Sequence, residues 1–239
     1  MPLPTITTAQ YELKLPSTGK TIKYRPFLVK EEKILILSLE SEDQKLITNA
    51  VKQVLKACVL TKGIKIDQLP SFDIEYLFLN IRGKSVGESI ELLVTCGDDG
   101  KTEVPVNVNI DDIEVRKDPN HTPDIEIDED YKVRMKYPSM SQFIETNFNQ
   151  DDEDAVEKSF EIISSCVDSV YNDEDVWAAS DCTKKEVNDW VQSLTSAQFA
   201  KIEGFFDTMP RLSHTLEVVN PNTKKKNTIE LEGLTDFFG

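Results

Sequence analysis

The chain has 239 residues, 39% of them hydrophobic, and a formal net charge of −16, enough length and apolar content for one large or two small domains with cores of their own. Its four cysteines, Cys58, Cys96, Cys166 and Cys182, lie far apart with no Cys-x-x-Cys pair and no signal peptide before them, which excludes a disulfide framework or zinc cluster and predicts free thiols in a reducing cytoplasm. No apolar run approaches the roughly eighteen residues needed to cross a bilayer, so the composition predicts a soluble chain.

Tyr11-Glu12-Leu13-Lys14-Leu15 alternates as a strand does, Pro16-Ser17-Thr18-Gly19 supplies turn residues, and Thr21 to Arg25 alternates again. Residues 11–25 therefore predict a β-hairpin, ended at Arg25-Pro26-Phe27 because Pro26 cannot donate to a ladder. From Val29 the period becomes helical. Ile34, Leu35 and Leu39, then Leu46, Ile47, Val51, Val54, Leu55, Cys58 and Val59, mark two amphipathic helices separated by a cap-like Ser41-Glu42-Asp43-Gln44.

Ser71 caps a third helix carrying Phe72, Tyr76, Leu77, Phe78, Leu79 and Ile81. Gly83-Lys84-Ser85 follows it and mimics the end of a P-loop. The glycine that motif needs is replaced by Phe78, and the order here is helix then strand, so the triplet reads as a sharp turn. Ile90 to Cys96 and Thr102 to Val108 form a second hairpin, with Pro105 demoting its arm to an edge. Short strands follow at 113–115 and 125–127, then a stronger one at 131–137.

Residues 139–143 begin a short helix. The polar run Asn149-Gln150-Asp151-Asp152-Glu153-Asp154 is the predicted boundary between a mixed domain, residues 1–148, and a second region, residues 149–239. Val156, Phe160, Ile163, Val167 and Val170 then predict one firm helix, and residues 183–194 and 196–207 two more, together a small bundle with Trp177 and Trp190 as core or groove residues. His214 to Val219 and Thr228 to Leu231 close the chain as a third hairpin. Its layout loosely echoes the hairpin of residues 90–108, by duplication or by convergence. The fold class expected is α+β: an N-terminal mixed domain with β-hairpins and helices, a small helical region and a C-terminal β-hairpin.

The acidity is regional. Residues 111–181 carry 21 of the 43 acids and six of the 27 bases. Such a field repels nucleic acid and anionic membranes. It either favours a basic partner surface through on-rate and specificity or is a solvated face that aids solubility.

Little here suggests catalysis. His121 and His214 are the only histidines, and neither has a partner nearby in sequence. The carboxylates of Asp151 to Asp154 and Asp173 to Asp175 have no apolar wall to raise a pKa. Neither run has the glycine and twelfth-position glutamate of a calcium loop. Lys224-Lys225-Lys226 sits at a hairpin tip, where lysines keep a turn solvated. The chain is thus expected to be no enzyme and to need no cofactor, metal or small-molecule substrate.

Three strings carry a family resemblance: Leu15 to Lys20 through Tyr24-Arg25-Pro26-Phe27-Leu28-Val29-Lys30-Glu31-Glu32-Lys33; Phe72 to Glu88; and Met209-Pro210-Arg211-Leu212-Ser213-His214 with Glu232-Gly233-Leu234-Thr235-Asp236-Phe237-Phe238. With them the chain resembles the baseplate hub assembly proteins of T-even-type contractile-tailed bacteriophages. The resemblance implies a chaperone-like factor that builds the central hub of the tail baseplate, or alternatively a structural subunit kept in the mature baseplate. It implies hub or tail proteins as partners, work in the host cytoplasm or a place in the virion, and no catalytic residues. It also suggests relatives with cysteine pairs at the hairpin tips, in the manner of a zinc ribbon. Cys96 stands alone here and residues 220–226 contain no cysteine, a departure from that pattern. The partner-binding candidates are the acids Asp151, Asp152, Glu153 and Asp154, with Tyr24, Arg25, Phe27, Phe237 and Phe238, acting by charge complementarity or by strand addition at open hairpin edges.

Overall fold

The computed structural model describes residues 6–41, 43–139 and 155–238. They form two compact units. One contains residues 1–66, 72–116 and 211–239, the other residues 67–71 and 117–210. The expected boundary at 148/149 and the expected helix from 139 to 143 fall on or run into residues outside the described set.

The first unit opens with the predicted hairpin, β1 (Tyr11–Lys14) and β2 (Thr21–Tyr24), paired with Leu13 opposite Ile22. Gly19 takes a positive φ of 68° in its loop, a conformation that costs glycine least. Two helices follow, α1 (Val29–Leu39) and α2 (Gln44–Cys58). Asp43, rather than Ser41, caps α2: its Oδ1 accepts the Leu46 N–H at 3.1 Å. Of the stripe its periodicity predicts, α2 buries Val51, Val54, Leu55 and Cys58, with Ala50 beside them, whereas Leu46 is exposed and Ile47 half-buried.

α3 (Ser71–Val86) buries Phe72, Ile74, Leu77, Phe78, Leu79 and Ile81. Successive residues turn 100°, so these six span more than half of the helix circumference. Here the reading of Gly83-Lys84-Ser85 as a turn is corrected. The triplet is helical, and the chain turns at Gly87, where φ is 133°. Gly83 has a packing reason. A Cβ there would lie 3.0 Å from Ile110 Cδ1, so the missing side chain is what lets Ile110 sit against the helix. Gly83→Ala should change stability by less than about 1 kcal/mol, since its gain in helix propensity offsets a small shift of a flexible Ile110 tip. Gly83→Val should cost about 1–3 kcal/mol through overpacking, both read by urea denaturation.

The rest of the unit is two small antiparallel sheets closed by a short helix. β3 (Ser89–Thr95) pairs with β4 (Glu103–Asn109), Pro105 opposite Leu93, and forms a sheet of two strands. β5 (Glu114–Arg116) pairs with β10 (Arg211–Val219), which also pairs with β11 (Lys226–Glu232). The last helix, α7 (Gly233–Phe238), places Phe237 wholly inside. Leu79, Leu92, Ile110, Leu212, Leu231 and Phe237 belong to one apolar cluster.

The second unit is not the bundle expected from helical periodicity. Its centre is a four-stranded antiparallel sheet in the order β6 (Asp124–Glu126), β7 (Lys132–Met135), β8 (Val167–Tyr171), β9 (Val176–Ala178). The single helix expected over 156–170 is two elements, α4 (Ala155–Ser165) and β8. Ser164 and Ser165 donate to the carbonyls of Phe160 and Ile162, competing with the helix ladder at its end. The β-branched Val167 and Val170 continue as strand. α5 (Lys184–Gln192) and α6 (Ser196–Thr208) start with matched caps: Thr183 with Glu186, and Thr195 with Gln198. Val133, Cys166, Val191, Ile202 and Phe205 are buried in its core.

Candidate docking surface

α1 is inside out. The residues it buries are Glu31, 3% exposed, and Ser38. Its apolar side chains face solvent: Val29 is 80% exposed, Ile36 49%, and Leu37 and Leu39 each 55%. Surface helices normally do the opposite. The expected core stripe of Ile34, Leu35 and Leu39 is therefore corrected. Ile34 and Leu39 are exposed and Leu35 is half-buried.

A buried ion pair enforces this orientation. Arg25 Nη2 meets Glu31 Oε1 at 3.1 Å, both side chains being nearly covered, while Arg25 Nη1 donates to the Pro26 carbonyl at 2.8 Å. Glu31 Oε2 accepts the Leu28 N–H at 2.7 Å, which satisfies one of the donors that a helix start leaves open. Burial pushes the Glu31 carboxyl up. The hydrogen bonds from Arg25 and Leu28 and the charges of Arg25 and Lys30 outweigh it and hold the group below the usual carboxylate range. Ser38 Oγ donates to the Leu35 carbonyl within the helix. With Glu31 turned inward, the opposite face of α1 must point out, and that face carries the aliphatics.

Of the expected partner-binding residues, Arg25 is held to α1 through Glu31, while Tyr24 pairs with Tyr11 in the first hairpin. Tyr24 is buried, and burial raises its phenol pKa. Phe27 is half-buried, and its N–H donates to Ser85 Oγ at 3.0 Å, a role for the serine of the false P-loop. Phe237 is buried in the apolar cluster of its unit. Phe238 closes α7. Asp151 to Asp154 lie outside the described residues. The residues missed were Val29, Ile36, Leu37 and Leu39 as a surface. A signal existed: Ile34-Leu35-Ile36-Leu37 spans about 300° of helix, so its members cannot all face one core.

The tips of β3–β4 and β10–β11 are built alike. Gly100 N–H bonds the Cys96 carbonyl, and Lys224 N–H bonds the Asn220 carbonyl, each at 2.9 Å. Gly100 and Lys224 both have positive φ, 63° and 62°. Side chains lock the two tips together. Buried Asn220 donates from Nδ2 to Asp98 Oδ1 at 2.8 Å and to Asp99 Oδ2 at 3.0 Å, and Thr223 Oγ1 donates to Asp98 Oδ2. Asp98 N–H donates to Asn227 Oδ1 at 2.9 Å. These bonds hold both carboxyls below their ordinary values, the Thr223 hydroxyl having the largest effect on Asp98 and that of Thr102 on Asp99. The donor set does not fit a zinc ribbon. It offers one thiol, Cys96, and an amide whose N–H groups already fill the carboxylates a cation would need.

In the second unit His121 and Lys201 are bonded within the unit. His121 bonds Thr208 Oγ1 through Nδ1 at 2.9 Å and Tyr137 OH through Nε2 at 3.0 Å. Thr208 gives its own proton to the Gly204 carbonyl, so it accepts from Nδ1–H. Burial lowers the His121 pKa and so favours the neutral ring, in which Nε2 accepts from Tyr137. A shallow groove near Glu126 and Asp128 has its lysine, Lys201, bonded to the carbonyls of Glu126 and Ile127. Trp190 packs on the core, whereas Trp177 is 45% exposed on the edge strand β9, tilted against Tyr131.

All four cysteines are free thiols; Cys58, Cys96 and Cys166 are buried, and burial lifts Cys58 and Cys166 to about 11. Among the described residues no helix is long and apolar enough to cross a membrane, and no group of three or more His, Cys, Asp or Glu is placed to hold a metal ion. Comparison with curated proteins and with solved structures gives no match. A family model, described as T4 bacteriophage base plate protein, matches residues 8–239. It takes in α1, the Arg25–Glu31 pair and both hairpin tips, and on that match the chain belongs to the T4 bacteriophage base plate protein family.

Proposed function

We propose that the chain is a non-enzymatic assembly factor for the hub of a contractile-tail baseplate, one that binds hub or tail proteins in the host cytoplasm and holds them competent for incorporation. The observation that carries this is α1. A chain that spends a buried ion pair to hold Val29, Ile36, Leu37 and Leu39 in water has a surface completed by another protein chain. Family membership supplies the setting: other baseplate proteins are the chains at hand.

Co-expression with the hub subunits of the same phage, followed by size exclusion, tests the reading. A complex that co-migrates, and is lost with Ile36→Asp, is the expected result; absence of any co-migrating hub subunit overturns it. Peptides at stoichiometric level in purified virions would instead assign the chain as a subunit retained in the finished baseplate.

Asp151 to Asp154 are proposed as a second contact, for a basic partner surface. Replacing the four acids by lysine should weaken the complex about tenfold or more at low salt and flatten its salt dependence, measured by titration at two ionic strengths. Unchanged binding would make the run a solvated one.

A further inference from the structure

The outward strip of α1 is Val29, Lys33, Ile36, Leu37 and Glu40, at i, i+4, i+7, i+8 and i+11, all exposed. That spacing lines one side of a helix. Its charges are ordered along the axis: Lys33 lies towards the N-terminal end and Glu40 at the C-terminal end. A strip with apolar residues at its middle and opposite signs at its ends is complementary to itself when turned end for end. Laid antiparallel about a two-fold axis between positions 36 and 37, it sets Ile36 against Leu37 of the second helix and Lys33 against Glu40. One register satisfies both. A parallel pairing would oppose Lys33 to Lys33 and Glu40 to Glu40, so the charges choose the antiparallel one.

We infer that α1 is a self-association face, on which a second copy of this chain docks antiparallel to form an isologous dimer. This rests on the reading of α1 as a docking face but not on the identity of any hub partner. An 11-residue helix is about 16 Å long. It covers less than the roughly 800 Å² per partner of a standard interface, so the dimer is weak and forms at micromolar concentration. Such a dimer can cover the apolar strip while the chain is free and yield it to a tighter partner.

Sedimentation velocity of the full chain, from about 1 to about 200 μM, is the test. A reversible monomer–dimer equilibrium is expected, weakened at least about tenfold by Ile36→Asp. Each charge pair occurs twice across the axis, so Lys33→Glu and Glu40→Lys should each weaken it about fivefold to tenfold. The double variant Lys33→Glu/Glu40→Lys should restore it to within about threefold. In a Cys182→Ser background, Leu37→Cys should form an intermolecular disulfide under mild oxidation, because that position lies next to the axis. These residues face solvent, and unchanged far-UV circular dichroism checks that each variant folds. A monomer throughout the range overturns the inference, as does a dimer indifferent to Ile36→Asp or a double variant that fails to recover. A hub subunit that co-migrates with a chain that is monomeric alone would overturn self-association and keep the assembly reading. A dimer that captures no hub subunit would do the reverse.

Discussion

Glu31→Ala is expected to destabilise the first unit by about 3–5 kcal/mol, the cost of stranding the covered Arg25 guanidinium without its carboxylate. The variant also loses the acceptor for the Leu28 N–H. Spectroscopy can localise the loss. Trp177 and Trp190 are the only tryptophans and both lie in the second unit. Tryptophan fluorescence should therefore melt as in the native chain, while far-UV circular dichroism shows an earlier transition. If both probes shift together, the pair is not confined to the first unit in its effect. Arg25→Met with Glu31→Leu should recover most of the loss, since a covered ion pair can be replaced by apolar side chains at little net cost. The double variant would then show the pair to be an orienting device rather than a source of stability. The pH dependence has a definite sign. A carboxyl whose folded pKa is depressed contributes stability above its unfolded pKa, near 4.3. That contribution is lost as pH falls through the lower folded value. Acid should thus loosen α1 below about pH 4, and Glu31→Gln should abolish that part of the acid sensitivity.

Much of the fold could be read from alternation and turn chemistry, because β1–β2, β3–β4 and β10–β11 are local hairpins whose two arms are adjacent in sequence. Reading failed where an element's partner is distant. β8 pairs with β7 across more than thirty residues and with the three-residue β9. Val167 and Val170, three apart, fit the stripe of the helix before them as well as a strand, so periodicity carried the helix too far. Gly83 misled because a glycine after an apolar helix usually marks its end, whereas this one makes room for Ile110. The hardest feature was α1. Counting apolar residues assumes that they are the buried ones, and nothing in that count reveals that Arg25, six residues upstream, draws Glu31 inward instead. The family strings contained both residues of the pair without showing that they touch. The docking strip was therefore visible as letters and invisible as a surface.

Asn220→Ala should cost about 2–3 kcal/mol, because one buried amide makes four hydrogen bonds and the solvent that reaches the tips can replace only some of them. Its Oδ1 accepts from the N–H groups of Asn222 and Thr223, at 2.8 and 3.2 Å, shaping its own turn, while its Nδ2 bridges Asp98 and Asp99 on the other tip. No backbone ladder joins the β3–β4 sheet to the sheet of β10, β11 and β5. Apolar packing around Val94, Val218 and Leu231 holds the two together from inside, so the tip lock fixes how far they can splay. Hydrogen exchange should report this as faster exchange at Cys96, Gly100 and Lys224 than at the centre of either hairpin. Asn220→Asp separates shape from charge. It is nearly isosteric but sets a third carboxylate against Asp98 and Asp99, so at neutral pH it should be worse than alanine. The order should reverse as acid protonates the new carboxyl, whose two charged neighbours raise its pKa while theirs are held low, since a neutral carboxyl can again donate to Asp98 and Asp99. If aspartate matches asparagine at neutral pH, the tips are held by backbone geometry alone and the amide bridge contributes little. If the predicted reversal is found, the two hairpins are joined by a hydrogen-bonded clasp in which a donor at position 220 bridges Asp98 and Asp99, at the place where a metal-bound ribbon would need thiolates.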